Sequence, residues 1–254
     1  MNTPNRWIAL GLLALIAAGP EKPAQDQAHA VHEPPVPQEL ADAGTVYHTL
    51  TGREAQVTFT SDAPLENVVG KSNRVVGYAV KGPEARPAEL AGARWVLPVS
   101  SLATGIPLRD KHLAGDEWLD AERFPTIEFE LTGTEDAKLV KSGDGFSTWA
   151  VTLVGNMTVH GVTNEIRVAN SRVSFLDESP RTAQIAKGDL MFIKSTYTVR
   201  LSDYDMTNTD IGGKVSDVIE LSQLLRLSTV PPPSSEDEPG TASTSDTDHA
   251  DAPG

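Results

Sequence analysis

The chain contains no cysteine, which removes disulfides, thiolate catalysis, cysteine-ligated zinc and iron–sulfur clusters together. It also removes a lipoprotein anchor, because the N-terminal apolar run is not followed by the cysteine such an anchor needs. Catalytic signatures are equally scarce. There is no Gly-x-Ser-x-Gly elbow, no His-Glu-x-x-His pair and no glycine loop of the phosphate-cradling type. No apolar run reaches the length of about 20 residues needed to cross a bilayer. Positive charge is sparse, with Lys and Arg numbering 21 against 35 acids and a net charge of −14, and no basic face is evident. Nucleic acid is therefore excluded as a partner.

The ends differ in composition from the middle. Arg6 precedes an apolar run from Trp7 to Ala18, the layout of a secretory signal peptide. Cleavage after Ala30 fits the small-x-small rule at Ala28-His29-Ala30, whereas cleavage after Gly19 would leave Pro20 first. An uncleaved N-terminal anchor remains the alternative. Residues 1–30 are thus expected to be a signal peptide and 31–44, rich in Pro, Ala and Gln, a disordered linker. From 231 to 254 six acids occur with no Lys or Arg, and this segment reads as a disordered, solvated acidic tail. The expected domain is 45–230, exported to the periplasm or secreted. Without disulfides it must be stabilised by burial, which a domain of this size can provide.

Within that domain the dominant period is two. Ile127, Phe129 and Leu131 alternate with Glu128, Glu130 and Thr132, describing a strand with one wet face. The same holds for Met191, Ile193, Tyr197, Val199 and Leu201, and for Ile219, Leu221, Leu225 and Leu227. Weaker versions include Val57 and Phe59, and Val151, Leu153, Met157 and Val159. Turn residues separate these runs, as at Lys141-Ser142-Gly143-Asp144-Gly145 and His160-Gly161. About eight strands with mostly short connections imply an antiparallel meander, closed into a barrel or stacked as a sandwich because open edges invite aggregation. One stretch departs from this pattern. From Leu102 to Arg123 the spacing of Leu108, Leu113, Trp118 and Leu119 predicts a helix or two short turns, with Pro107 suited to a helix's first turn and Pro125 ending the segment.

Arg109-Asp110-Lys111-His112 gathers a forked cation, a carboxylate and an imidazole within one helical turn, which suits binding; a solvated, ion-paired helix face is the plainer reading. As a metal site it lacks a second imidazole, and no metal or cofactor is expected. Asp203 and Asp205 are two apart and like-charged, which reads as turn carboxylates rather than an acid/base pair. His160 reads as part of a hairpin turn. The apolar strand faces admit two interpretations. Phe129, Met157, Met191 and Tyr197 are either plain core or the wall of a cavity, since eight-stranded barrels are just wide enough for one small or elongated ligand.

Three ordered motifs carry a resemblance. Leu102-x-Thr104-Gly105, Leu108-Arg109-Asp110-x-His112-Leu113, Trp118-Leu119-Asp120 and Phe124-Pro125-x-Ile127-x-Phe129 form the first. Gly155-Asn156-Met157-Thr158-Val159-His160-Gly161-Val162-Thr163 forms the second, and Asp203-Tyr204-Asp205-Met206 with Lys214-Val215-Ser216-Asp217 the third. Together they resemble the bacterial YceI-like family over roughly 45–230. Asp205 stands where that family has glycine, Met157 where it has leucine, and the usual opening motif is replaced around Tyr47-His48-Thr49-Leu50. The resemblance implies an all-β, eight-stranded, lipocalin-like antiparallel barrel with the helical insertion at 102–123. It also implies an exported, non-enzymatic carrier of a polyisoprenoid or other long-chain amphiphilic lipid, with homodimers allowed. The expected contacts are Phe59, Leu113, Trp118, Phe124, Phe129, Leu153, Met157, Met191 and Tyr197, with Arg109 and His112 at the polar head. The alternative is a barrel with a filled core, serving as a protein-interaction or stress-response module.

Overall fold

A computed structural model describes residues 31–52 and 54–232; the expected signal peptide, and the acidic tail beyond 232, lie outside the described residues. Ten strands make one antiparallel sheet: β1 Val46–Thr49, β2 Val57–Asp62, β3 Asn67–Ser72, β4 Val76–Val80, β5 Gly92–Pro98, β6 Thr126–Gly143, β7 Phe146–Val159, β8 Val162–Leu176, β9 Leu190–Arg200 and β10 Val218–Ser228.

Their pairing explains why ten strands give an eight-stranded closed barrel. One edge of β10 is shared, with β2 paired along 219–223 and β1 along 227–228. On the next position around the wall β3 pairs with β2 and β4 with β1. β1 and β2 are therefore two halves of one interrupted wall strand, and β4 and β3 two halves of its neighbour. Closure leaves few free edges, which meets the aggregation argument made from the alternating pattern.

Gln56 holds the interruption together. Its side chain is 2% exposed; Nε2 donates to the carbonyls of Leu50 and Val75, each at 3.1 Å, and Oε1 accepts the Val75 N–H at 2.8 Å. These bonds pair backbone groups that the two broken strands leave without a ladder partner.

The strand faces follow the sequence alternation. Ile127, Phe129 and Leu131 of β6 point inward, while Glu130 is exposed and Glu128 pairs with Arg94 on the outside. Two local features make the geometry possible. Gly155 pairs with Leu131 and lies diagonally beside Phe129, whose ring covers it; a Cβ there would sit 2.5 Å from the ring, so glycine makes room for that side chain. His160 and Gly161 join β7 to β8 with φ of 51° and 76°, the left-handed pair that a two-residue hairpin requires. β6 and β7 run on past the barrel with register shifts at Leu131/Gly133, Glu135/Lys138 and Leu139/Lys141. The hairpin they form is longer than the alternating segments of the sequence predict.

The helical insertion is present as α2, Pro107–Leu113, with proline in its first turn, followed by turns through Trp118 and Arg123. The expected disordered linker at 31–44 needs correction. Gln38–Ala43 forms a one-turn-plus helix, α1, whose Leu40 sits against Gly92 of β5, and Glu33 lies 3.0 Å from His48 Nδ1. Packing against the barrel orders a segment whose composition alone offers no reason for order.

Candidate functional site

The two ends of the barrel interior differ. At one end Leu153, Val173, Met191, Ile193 and Leu227 are almost completely buried in the hydrophobic core and do not border the cavity. Toward the other end the inward residues do not meet, and a cavity of about 510 Å³ remains. That is within the usual range of about 300–1,000 Å³ for small-molecule sites.

Neighbouring strands build its wall in register. Phe59 on β2, Leu221 on β10 and Tyr197 on β9 are successive cross-strand partners, all facing inward. Across from them Trp95 on β5, Phe129 on β6 and Met157 on β7 form a second row. The Trp95 and Phe129 rings stack at 5.3 Å with an interplanar angle of 15°. Burial pushes the Tyr197 phenol above its ordinary range, with nearby Tyr204 adding to the shift, so the hydroxyl stays neutral. That hydroxyl donates weakly to Gln223 Oε1 at 3.5 Å, a polar pair set in an otherwise apolar wall.

α2 and the following turns lie at the open end. Leu113 and Trp118 are half-buried on the cavity side, and Leu119 is buried beneath them. The charged cluster of α2 divides by role. Arg109 forms an ion pair with Glu66 in the β2–β3 connection, fastening the helix to the sheet. Asp110 turns back, accepting the Thr104 N–H at 2.7 Å and the Thr104 hydroxyl at 2.5 Å, so it serves the helix start. His112 is exposed at the rim of the cavity, as is Lys214, which pairs with Asp210 at 3.1 Å.

Of the sequence-selected side chains, Phe59, Arg109, His112, Leu113, Trp118, Phe129, Met157 and Tyr197 line this cavity. Leu153 and Met191 belong to the filled end instead, being 1% and 0% exposed. Phe124 packs edge-on against His160 at 5.0 Å and covers the β7–β8 turn. Alternation identifies an inward face but not its height in the barrel, which is what separates Met191 from Met157. Leu221 and Val199 line the cavity too and share the alternation of their strands. Glu66 and Gln56 have no such signal, since each acts on a segment distant in sequence. Among the described residues no cluster of His, Asp or Glu converges to hold a metal ion. Asp203 and Asp205 sit in a tight turn in which the Asp203 carbonyl accepts from Asn164 at 2.7 Å.

A family model for the YceI-like domain matches residues 48–226. The chain belongs to the YceI-like family. Among curated relatives, a UPF0312 protein of Yersinia pestis is 29% identical over 123 residues, covering 48% of this chain and 55% of the relative. A UPF0312 protein of Yersinia enterocolitica matches to the same extent. The chain thus spans about half the length of the curated relatives it matches. Among solved structures, Burkholderia cenocepacia BcnA is 15% identical with a TM-score of 0.49, covering 74% of this chain and 97% of that one. A polyisoprenoid-binding domain from Saccharophagus degradans is 13% identical with a TM-score of 0.48, covering 72% and 98%. The glycine of the YceI-like closing motif has a physical explanation here. Asp205 occupies that place with φ of 56°, a left-handed conformation that glycine adopts without strain.

Proposed function

We propose that this YceI-like protein is an exported carrier that holds a polyisoprenoid or other long-chain amphiphilic lipid in its barrel. The observation that carries the reading is the cavity: about 510 Å³, walled by apolar side chains, shut at the packed end and open beside α2. Burying a hydrocarbon tail there yields about 0.8 kcal/mol per methylene, so ten methylenes contribute roughly 8 kcal/mol before the cost of association. Phe59, Leu113, Trp118, Phe129, Met157 and Tyr197 are the tail contacts in this reading, and Arg109 and His112 meet the polar head at the rim. The unfilled interior argues against the alternative of a filled barrel acting only through its surface.

Binding without turnover is part of the proposal, because the cavity wall offers no nucleophile paired with a base. Export to the periplasm rests on the N-terminal sequence. Among the described residues no helix is long and apolar enough to cross a membrane. The test is mass spectrometry of lipid extracted from the protein purified from its native source, with uptake assays using prenyl and acyl probes. A stoichiometric long-chain lipid is the expected result; protein that is consistently empty and takes up neither probe would overturn the reading.

A further inference from the structure

A long hydrocarbon chain cannot cross water cheaply, since each exposed methylene costs about 0.8 kcal/mol. The surface around the opening bears directly on how such a chain would enter. Leu65 in the β2–β3 connection is 76% exposed, and Ile106 and Leu108 at the start of α2 are 47% and 64% exposed. Val69, on the outer face of β3, is 49% exposed. Exposed large apolar side chains gathered in one place mark an interaction surface, whereas scattered ones need no explanation.

These side chains are held together. The Arg109–Glu66 ion pair joins α2 to the β2–β3 connection, and the Leu65 N–H donates to the Gly213 carbonyl at 3.2 Å. Ile106 and Leu108 also line the cavity, so the exposed apolar surface at the start of α2 continues into the cavity wall. Two cations flank it on an otherwise acidic chain. Lys71 shares the outer face of β3 with Val69, two residues before it, and Lys111 lies one helical turn beyond Leu108. Both are exposed, and among the described residues neither enters an ion pair. Of the nearby acids, Glu66 pairs with Arg109, Asp210 pairs with Lys214, Asp110 accepts from Thr104 and exposed Asp62 accepts from Asn67 at 3.4 Å, while Asp116 and Glu117 lie beyond the end of α2.

We infer that this collar docks on the surface of an anionic lipid bilayer, with Leu65, Ile106 and Leu108 entering the headgroup layer and Lys71 and Lys111 meeting acidic headgroups. Apolar side chains backed by lysines are the combination that holds a protein at such an interface. The inference rests on the lipid-carrier reading for its purpose, since docking would let a hydrocarbon chain pass between bilayer and cavity without crossing water.

The experiment is vesicle flotation of the full chain with phosphatidylcholine vesicles and with mixed phosphatidylcholine–phosphatidylglycerol vesicles, beside uptake of a fluorescent prenyl probe delivered from ethanol. The protein is expected to float with the anionic vesicles and to lose them as salt rises. Leu65→Glu with Val69→Glu, and separately Lys71→Glu with Lys111→Glu, should weaken flotation about tenfold at an unchanged melting temperature and unchanged probe uptake. No flotation with either vesicle, or flotation unaltered by both pairs of substitutions, would overturn docking. So would sedimentation showing a dimer that Leu65→Glu dissociates, because the collar would then be covered by a second copy. Flotation that responds to the substitutions in a protein unable to take up the probe supports docking and overturns the carrier reading alone.

Discussion

Gln56 satisfies three backbone groups with one side chain, and that makes it a sharp test at the scale of a residue. Gln56→Leu leaves the Val75 N–H and the carbonyls of Leu50 and Val75 without partners in a buried place. The expected loss is about 2–4 kcal/mol, read from urea unfolding, since each orphaned buried group costs about 1–3 kcal/mol and the effects overlap. An unchanged midpoint would mean that water replaces the amide. Phe129→Asp is a second test: it places a charge in the apolar wall against Trp95, and should abolish either folding or probe uptake. Asp205→Gly should act in the opposite direction, stabilising by up to about 1 kcal/mol by relieving a left-handed aspartate. Phe129 was legible in the sequence because Ile127 and Leu131 share its alternation. Gln56 was not, because nothing local marks a polar residue that bonds a segment 19 positions away.

At the scale of elements, the attachment of α2 decides how the cavity opens. The Arg109–Glu66 pair is about one third exposed on both sides, so its net contribution to stability is only about 0.2–1 kcal/mol. Arg109→Met should therefore leave the unfolding midpoint nearly unchanged while increasing the rate of ligand release several-fold in stopped-flow displacement. The β9–β10 junction carries a pH dependence. Asp217 accepts the Ser202 N–H at 2.9 Å and the Ser202 hydroxyl at 3.0 Å, with Arg200 at 3.4 Å. These contacts, the backbone bond foremost, hold its carboxyl below the ordinary aspartate value. A carboxylate with a lowered folded pKa contributes stability above the unfolded value of about 3.9, and loses it as pH falls through the lower folded value. Thermal unfolding should show the native protein losing more stability below about pH 4 than Asp217→Asn does. Pro107 and the lengthened spacing to Leu119 made α2 readable from sequence. Its partner did not follow, since Glu66 lies 43 residues away with no motif linking the two.

For the whole molecule, the distinction between filled and hollow halves determines what the barrel can do. Leu221→Trp enlarges a side chain that stands between Phe59 and Tyr197 in one row of the cavity wall, and the void gives it room. The expected outcome is a folded protein with probe uptake reduced at least tenfold; a fully loaded variant would place the ligand elsewhere. Composition, turn residues and period-two alternation determined by themselves that the chain is an all-β barrel or sandwich with one helical insertion, and which face of each strand is apolar; the β1–β10 pairing decided for the barrel. They do so because burial acts on every second residue of a strand, a signal carried within a few positions. Only the tertiary structure decided which inward residues touch one another. Leu153 and Met191 are buried in the filled end, while Met157 and Tyr197 border open space, and the alternation on their strands is the same. The depth at which opposite walls make contact depends on strand register, on the split of β1 from β2 and of β3 from β4, and on where α2 is fastened. Those are relations between distant segments, and a local pattern of residues has no means of recording them.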